Sequence, residues 1–330
     1  SVEHRSENGA LVWVRNPFTG VVTYFTQVHR KRSGFVRPPR PDVAGGVRPD
    51  EAKRMADEMS RCPFCPGNEA ACSQEVLRVD GPGAPRGPGW RVRAVRNVVP
   101  RVPEICTGGR NESYVVVEDP RHFIDPTRSP ELLYTGVLEG EHFQALFEAT
   151  REVARRSYAN RHVRHVLVRK NQGWRSGASQ PHPHCQVIGA DREFPDVSLE
   201  RRTMDRLPHV WEDVVEFVRD QGFVIFEDGG VIAYFSPFGA FPRSYEVVAL
   251  GDRALMIDVP AANWRRFVAV LHRVLQMLGG MPLDYEIHDG RGIPLHAHVH
   301  ARHFPYSSVG GTLNLPATLA EDPRQVRWQA

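Results

Sequence analysis

The stretch Ser179–Ala190, SQPHPHCQVIGA, places two histidines one residue apart at the start of an apolar run. Its pattern predicts a β-strand, in which successive side chains alternate between two faces and rise ~3.3 Å per residue. We therefore expect His182, His184 and Gln186 on one face, with the two imidazoles on the order of 7 Å apart. That spacing suits two separate tasks better than one shared metal ion. Pro183 cannot donate to a sheet ladder, so it predicts an edge or a bulge here.

The segment before the histidines, NQGWRSGAS at residues 171–179, is rich in glycine and serine. Such a loop exposes backbone N–H groups that can bind an anion. A neutral histidine beside that loop can attack phosphorus, and phosphoryl or nucleotidyl transfer depends mainly on positioning and charge stabilisation. These features indicate His184 as a nucleophile and Gln186 as a donor to a phosphate oxygen. The alternative interpretation is a surface strand with incidental histidines.

A second motif, CPFCPGNE, begins at Cys62. Cys62 and Cys65 in C-x-x-C spacing supply half of a tetrahedral zinc site, and the redox interpretation needs a βαβ setting that the sequence lacks. The other cysteines are isolated: Cys72, Cys106 and Cys185. Histidines must then complete the shell, and His122 and His182 are the candidates. A closed shell of this kind predicts a structural zinc and leaves His184 without a metal.

Composition excludes several classes of protein. The 330 residues carry a net charge of +3, and the arginines are dispersed, which argues against nucleic-acid binding. No apolar run approaches the ~18 residues of a membrane span, and the first ten residues lack a secretory signal. Five cysteines, an odd number, favour thiols in a reducing compartment. We expect a cytoplasmic protein that binds neither nucleic acid nor a membrane.

Each half of the chain repeats one plan: a long helix, a strand, a loop, and a strand bearing H-x-H. In the first half these are residues 130–160, 161–173 and the histidine stretch. In the second half the helix falls in residues 262–280, and the strands fall in 283–290 and 294–304. The repetition predicts an internal duplication and an α+β fold.

Four motifs together resemble a known family. CPFCPGN, EDPRH, KNQG and QPHPHCQ, in this order and at these separations, resemble galactose-1-phosphate uridylyltransferase and its relatives in the histidine-triad superfamily, from about residue 60 to 321. The resemblance implies an α+β fold of two tandem histidine-triad-like units, each an antiparallel sheet with helices packed on it. We expect the N-terminal unit, with the zinc site and the nucleophile, at 1–195 and the C-terminal unit at 196–330.

The resemblance also implies a ping-pong nucleotidyltransferase. A histidine attacks the α-phosphate of a nucleotide sugar, sugar 1-phosphate leaves, and the nucleotide passes to an acceptor. By the match to H-P-H-x-Q, the resemblance implies that His184 is the nucleophile and Gln186 a phosphate ligand. His182 would bind zinc together with Cys62, Cys65 and His122. Further positions near the nucleotide and the phosphates are Asn97, Asn171, Gly173 and Ser179. The family is typically a homodimer, in which the Arg-rich segment 30–40 would reach the partner's site.

The second half resembles the family at LHAHVHARHFP, where some relatives carry a second metal. The matching positions are Glu200, His288, His296 and His298. His296 and His298 share a strand face, and a carboxylate with imidazoles suits zinc or iron. His300 and His303 have no counterpart and are expected at the surface.

One departure bears on the substrate. Where the family has an aromatic–glutamate pair that contacts the hexose, this chain has Gly311 and Thr312 in SSVGGTLNLP. The main interpretation is transfer from a nucleotide sugar to a sugar 1-phosphate, but the missing glutamate gives weight to another sugar. It also favours a nucleotide-sugar or dinucleoside-polyphosphate phosphorylase that uses inorganic phosphate. A zinc-stabilised nucleotide-binding protein without turnover is a third alternative. Cys185 faces away from His184 in a strand and is interpreted as packing.

Overall fold

The structure is a computed structural model, and it describes residues 3–5, 11–20, 22–26, 56–81, 89–100, 102–122, 134–173, 176–178, 180, 182–239, 241, 243–302 and 317–321. The chain divides into two compact units. One comprises Ser1–Phe35, Pro195–Leu271 and Met281–Ala330, and the other comprises Val36–Phe194 and His272–Gly280. We call the unit that contains Val36–Phe194 the histidine-loop unit and the other one the split unit. The domain boundaries expected from the sequence, 1–195 and 196–330, stay a prediction.

The strands and helices are numbered along the chain. The strands are β1 (Glu3–Arg5), β2 (Leu11–Arg15), β3 (Val22–Thr26), β4 (Glu75–Asp80), β5 (Trp90–Arg96), β6 (Ser113–Val117), β7 (His165–Gln172), β8 (His184–Ala190), β9 (Val224–Asp228), β10 (Val231–Phe235), β11 (Ser244–Ala249), β12 (Leu283–His288), β13 (Leu295–Ala301) and β14 (Ala317–Glu321). The helices are α1 (Gly140–Tyr158), α2 (Pro195–Arg206), α3 (Val210–Asp220) and α4 (Ala261–Leu278). Residues 56–61 are also helical, and short 3-10 helices cover Glu69–Ala71, Glu104–Thr107 and Thr135–Val137.

The histidine-loop unit is built on an antiparallel sheet with the order β4-β5-β6-β8-β7. Helix α1 packs on β5 and β8, because its apolar residues recur at helical spacing and form one buried face. The rings of Phe143 and Phe147 on that face stack with their centroids 4.7 Å apart. Thr150 Oγ1 of the same helix lies 3.8 Å from Cys185 Sγ, so Cys185 faces the helix and packs in the core.

The prediction that Pro183 lies at an edge strand or a bulge is wrong. Strand β8 pairs with β6 on one side and with β7 on the other, so it lies inside the sheet. Pro183 avoids the cost of a missing N–H because it precedes the strand, which begins at His184. Its carbonyl accepts a hydrogen bond from Glu118 N at 3.1 Å. His182 also precedes the strand, and the register sets Val117 opposite His184.

The split unit contains an antiparallel sheet with the order β12-β13-β11-β10-β9 and a four-stranded sheet with the order β1-β2-β3-β14. In the larger sheet the register pairs His288 with His296 and Glu246 with His298. Asn16, in the turn after β2, donates from Nδ2 to Phe238 O at 2.9 Å and holds the turn on this unit. The predicted α+β fold with two antiparallel units is confirmed. No helix of the described residues is long and apolar enough to cross a membrane.

Candidate active site and metal centres

Four side chains of the histidine-loop unit converge on one point. Cys62, Cys65, His122 and His182 are all buried, and one ligand atom of each lies within 4.8 Å of all the others. Cys65 Sγ lies 3.2 Å from His122 Nδ1 and 3.6 Å from His182 Nδ1. Cys62 Sγ lies 3.7 Å from His182 Nδ1. The structure thus brings together the four residues that the sequence indicated, and the group can hold a metal ion.

The surroundings of this group favour a metal over four uncharged side chains. His182 Nε2 donates to Asp119 O at 2.8 Å, which leaves the lone pair of Nδ1 directed at the thiols. His122 Nε2 lies 3.6 Å from Glu58 Oε1. The hydrogen bond with the Cys65 thiol lowers the pKa of the Cys62 thiol, and the same contact raises the pKa of Cys65. A thiolate and oriented imidazoles are the ligand forms that a soft divalent metal needs.

A tight turn positions the two cysteines. Cys65 N donates to Cys62 O at 3.2 Å and closes the turn, and both thiols are part of the metal group. Asn68 Nδ2 donates to the carbonyl oxygens of Met59, Ser60 and Cys62 and ties the turn to the residues before it. The sequence analysis assigned no role to Asn68, although it lies within the motif CPFCPGNE, three residues after Cys65.

His184 lies next to this cluster and outside it. Its side chain is 8% exposed. Its Nδ1 donates to the carbonyl oxygen of His182 at 2.8 Å, which leaves Nε2 with a lone pair. Burial lowers the pKa of His184 to about 4, so the ring is neutral at pH 7. The Phe64 ring packs 5.5 Å from it, between centroids. A neutral, oriented and nearly dry imidazole is a competent nucleophile.

A buried ion pair supports the backbone of His184. Lys170 Nζ lies 2.8 Å from Glu118 Oε1 and donates to His184 O at 3.2 Å. Glu118 Oε2 accepts from Thr135 Oγ1 at 2.7 Å. The sequence analysis missed this pair, although Lys170 is one of three lysines in the chain and immediately precedes Asn171.

The expected phosphate ligands share a face of the sheet. Gln186 is on the same face of β8 as His184, because alternate residues of a strand point the same way. Its Oε1 is buried and has no hydrogen-bond partner among the described residues. Arg169 on β7 lies directly opposite Gln186, and its Nη2 donates to Asn171 Oδ1 at 2.8 Å. The structure therefore groups Gln186 and Asn171 with Arg169, a residue that the sequence analysis did not select.

The loop between β7 and β8 contains the other expected phosphate contacts. Gly173 adopts a φ of 77°, which a side chain would disfavour. Its carbonyl accepts from Ser176 N at 3.1 Å and from Ala178 N at 3.3 Å, so the chain turns tightly here. Asn171 Nδ2 donates to Ser176 O and fixes the loop against β7. Ser179 lies outside the described residues.

Asn97 lies along the sheet from His184. It follows β5, and its N donates to Ser113 O at 2.8 Å. Ser113 pairs with Ile188, at the other end of β8 from His184, about 13 Å away along the strand. Asn97 Oδ1 accepts from Val99 N at 3.0 Å and shapes the exposed loop that follows.

A second convergent group lies in the split unit. One ligand atom of each of Glu200, His288, His296 and His298 lies within 4.8 Å of all the others. Glu200 Oε1 lies 3.0 Å from His288 Nδ1 and 3.3 Å from His298 Nε2, and Glu200 Oε2 lies 3.4 Å from His296 Nε2. The structure brings together all four residues indicated by the sequence. One carboxylate with three imidazoles can hold a metal ion.

The outer nitrogen of each of these histidines faces an oxygen atom. His296 Nδ1 donates to Pro294 O at 2.8 Å. His298 Nδ1 lies 3.7 Å from Glu246 Oε1, and His288 Nε2 lies 3.7 Å from Glu286 Oε2. Such contacts orient an imidazole so that its other nitrogen points at a metal. Glu246 was missed from the sequence, since only the pairing of β11 with β13 reveals it.

Charges concentrate strongly at this second group. Burial disfavours the protonated form of His288, but the Glu200 carboxylate outweighs this effect and raises the pKa of His288 to about 9. Against the same opposing effect of burial, His288 and His296 hold the pKa of Glu200 well below its usual range. Burial also opposes the charge on Glu246, yet hydrogen bonds from His298, Ser236 and Tyr234 lower its pKa to about 2.

The expectation that His300 lies at the surface is wrong. Its side chain is only 16% exposed, and its Nδ1 lies 2.9 Å from Asp284 Oδ1 on the neighbouring strand β12. His303, Gly311, Thr312 and the segment 30–40 lie outside the described residues.

The chain is similar to known proteins in sequence and in fold. The chain is 26% identical over 271 residues to ADP-glucose phosphorylase of Arabidopsis thaliana, covering 73% of each protein. The crystal structure of an ADP-glucose phosphorylase from Arabidopsis thaliana with bound ADP-glucose superposes with a TM-score of 0.67 at 17% identity, over 93% of this chain and 94% of that one. A uridylyltransferase mutant superposes with a TM-score of 0.59 at 20% identity, over 79% of this chain and 89% of that one.

The structural likeness establishes the fold, and at that level the resemblance to the galactose-1-phosphate uridylyltransferase family is confirmed. A more specific assignment comes from a family model that matches residues 98–279, which is more than half of the chain. The matched segment includes β7, β8 and the loop between them. The protein therefore belongs to the family described as Domain of unknown function (DUF4921).

Proposed function

We propose that this protein is a nucleotidyltransferase that cleaves a nucleotide sugar through a covalent nucleotidyl-His184 intermediate, with inorganic phosphate as the acceptor. The observation that carries the proposal is the state of His184. Its imidazole is buried and neutral, its Nδ1–H is bound to His182 O, and its Nε2 keeps a lone pair. A histidine with only a structural role does not need a fixed proton on Nδ1 and a lone pair on Nε2 beside polar side chains such as Gln186 and Asn171.

In the first step, His184 Nε2 attacks the α-phosphorus of the nucleotide sugar. The N–P bond forms, the P–O bond to the second phosphate breaks, and sugar 1-phosphate leaves with the electron pair of that bond. The ring gains a positive charge, and the Nδ1–H bond to His182 O stabilises it. The proton stays on Nδ1 throughout. Gln186 and Asn171 donate to the phosphate oxygens, whose charge spreads in the transition state.

In the second step, an oxygen of inorganic phosphate attacks the nucleotidyl phosphorus. The P–O bond forms, the P–N bond breaks, and the electron pair returns to His184 Nε2. The products are a nucleoside diphosphate and the neutral imidazole. No general base is required, because phosphate is already an anion at pH 7. Asn97, which lies along the sheet from His184, is suited to the nucleoside and not to the phosphates.

The choice of phosphate as acceptor rests on two supports. The chain is 26% identical to an ADP-glucose phosphorylase over 271 residues. In addition, Gly311 and Thr312 stand where the uridylyltransferase family has the aromatic–glutamate pair that contacts the hexose. Transfer to a sugar 1-phosphate uses the same first step and is the second candidate. A dinucleoside polyphosphate as donor and a nucleotide-binding protein without turnover are further outcomes that the experiment separates.

We propose that the first metal group holds a structural zinc ion. Two thiols and two imidazoles, all buried, fill a tetrahedral shell, with no position left for substrate. The second group, Glu200 with three histidines, is suited to zinc or iron. Bound there, either metal would supply a fixed positive charge that neutralises Glu200 and would link helix α2 to strands β12 and β13. We also propose a cytoplasmic homodimer, with nucleotide sugar and phosphate as its small-molecule partners.

The test is intact-protein mass spectrometry after brief mixing with UDP-, ADP-, GDP-, CDP- and dTDP-sugars, each without acceptor. A mass gain of one nucleoside monophosphate is expected from at least one donor, and phosphate or a sugar 1-phosphate is then added to see which discharges it. His184→Ala is expected to give no adduct while its melting temperature stays near that of the native protein. Full turnover by His184→Ala would exclude the mechanism.

A further inference from the structure

Arg169 lies on the same face of the sheet as His184 and Gln186. It lies on β7 directly opposite Gln186 on β8. Residues directly opposite each other in an antiparallel pair point to the same face of the sheet. Gln186 and His184 point to one face of β8. The guanidinium of Arg169 is therefore on the face where His184 attacks phosphorus.

The charge of Arg169 has no counter-ion within the described part of the chain. Its Nη2 donates to Asn171 Oδ1, a neutral amide, at 2.8 Å. Its Nε is buried and has no hydrogen-bond partner among the described residues. An arginine side chain carries a positive charge in proteins. Partial burial of such a charge is unfavourable unless an anion binds beside it.

Two buried cations of the same unit each lie beside a carboxylate. Arg93 on β5 lies 2.6 Å from Glu75 Oε2, and Lys170, the residue after Arg169, lies 2.8 Å from Glu118 Oε1. Lys170 points to the opposite face of β7 from Arg169, because it is the next residue in the strand. Arg93 and Lys170 thus have carboxylate partners, whereas Arg169, the cation opposite Gln186, has none among the described residues.

We propose that Arg169 forms an anion subsite for the phosphate that is exchanged at His184. It binds the phosphate of the departing sugar 1-phosphate in the first step and inorganic phosphate in the second. This inference rests on the proposed function. When one histidine carries the nucleotide, the departing and the arriving oxygen both lie in line with Nε2, so one subsite serves both. The planar fork of arginine matches two phosphate oxygens. Arg169 keeps its proton and forms no covalent bond.

The experiment separates an anionic acceptor from a neutral one. Nucleotidyl-His184 protein is prepared from the native chain and from Arg169→Gln, with longer incubation where the first step is slower. Its discharge is then followed with increasing phosphate and with water alone. We expect discharge at low phosphate to slow about 10- to 100-fold in Arg169→Gln through a higher KM for phosphate. Hydrolysis by water is expected to change less than twofold, and Arg169→Lys is expected to recover part of the loss.

A matched control removes the same charge outside the site. Arg164 is exposed and precedes β7, and Arg164→Gln is expected to keep the native KM for phosphate. An unchanged KM in Arg169→Gln, or an equal slowing of hydrolysis, would overturn the inference while leaving nucleotidyl transfer intact. If the native protein forms no adduct, the proposed function fails by itself. Calorimetric titration with inorganic phosphate then tests whether Arg169 binds an anion. Equal phosphate affinity in the native and Arg169→Gln proteins, or no binding by either, would refute the subsite.

Discussion

His184 Nδ1 donates a hydrogen bond to the carbonyl oxygen of His182, 2.8 Å away, within a single H-P-H segment. A carbonyl can only accept, so this contact fixes the proton on Nδ1 and leaves the lone pair on Nε2. The motif therefore orients its own nucleophile through its own backbone. His182 takes part at both ends, since its ring faces the cysteines while its carbonyl holds His184.

The first prediction concerns pH. Burial lowers the pKa of His184 to about 4, whereas an ordinary histidine titrates near 6.5. A lowered pKa means that the unprotonated ring persists to lower pH. The rate constant of adduct formation is expected to stay level from about pH 8 to about pH 5 and to fall as the pH passes through about 4. Rapid mixing followed by mass spectrometry measures it, with circular dichroism to confirm that the protein stays folded. An inflection near pH 6.5 would contradict the burial argument.

The second prediction concerns the first metal group. Cys62→Ser is expected to lose the bound metal and to lower the melting temperature by on the order of 5–10 °C, since a structural zinc contributes directly to folding. Metal content by mass spectrometry and thermal unfolding report the two effects. Cys106→Ser is the control, because Cys106 lies outside the group and is partly exposed. Native metal content in Cys62→Ser would show that this thiol is not a ligand.

The third prediction concerns the ion pair of Lys170 and Glu118. Lys170→Met is expected to cost about 3–5 kcal/mol of unfolding free energy, because it leaves the Glu118 carboxylate buried without its cation. The double variant Lys170→Met with Glu118→Leu is expected to recover much of that loss, since no charge then remains. Denaturant unfolding measures both. Additive losses in the double variant would mean that the two residues do not stabilise each other.

The fourth prediction concerns the second metal group. Glu246→Gln is expected to weaken metal binding there about 10- to 100-fold, since the amide no longer provides a carboxylate beside His298 Nδ1. Competition with a chelator of known affinity, followed by metal analysis, gives the change. Glu216→Gln, an exposed position on α3, should leave the affinity unaltered. The same affinity in Glu246→Gln would remove Glu246 from the metal's surroundings.

Short-range patterns were the predictable part of this molecule. The C-x-x-C and H-x-H spacings each place two side chains within one turn or strand, so the sequence was sufficient to indicate them, and the structure brings both four-residue groups together. A long helix within residues 130–160 was predicted from its apolar spacing, and α1 covers Gly140–Tyr158 of that range. The repeated order of helix and strands was likewise sufficient for the α+β fold.

Contacts that depend on strand register were not predictable. Arg169 lies opposite Gln186, and Glu246 lies opposite His298, only because these residues of different strands are paired in the sheets. The error at Pro183 has a local cause. Proline is excluded from an interior strand but tolerated immediately before one, and the sequence does not mark the residue at which the strand begins. The prediction that His300 lies at the surface failed because the sequence does not show that Asp284 lies beside it on the neighbouring strand.

The parallel pairing of β3 with β14 sets Val22 beside Ala317 and Thr26 beside Glu321. Because synthesis proceeds from the N-terminus, the first strands of the split unit emerge from the ribosome long before their last neighbour exists. The histidine-loop segment, which lies between them in the chain, has all its strands available much earlier. The nucleophile's sheet is thus free to form early in translation, whereas the four-stranded sheet closes only after β14 has been synthesised.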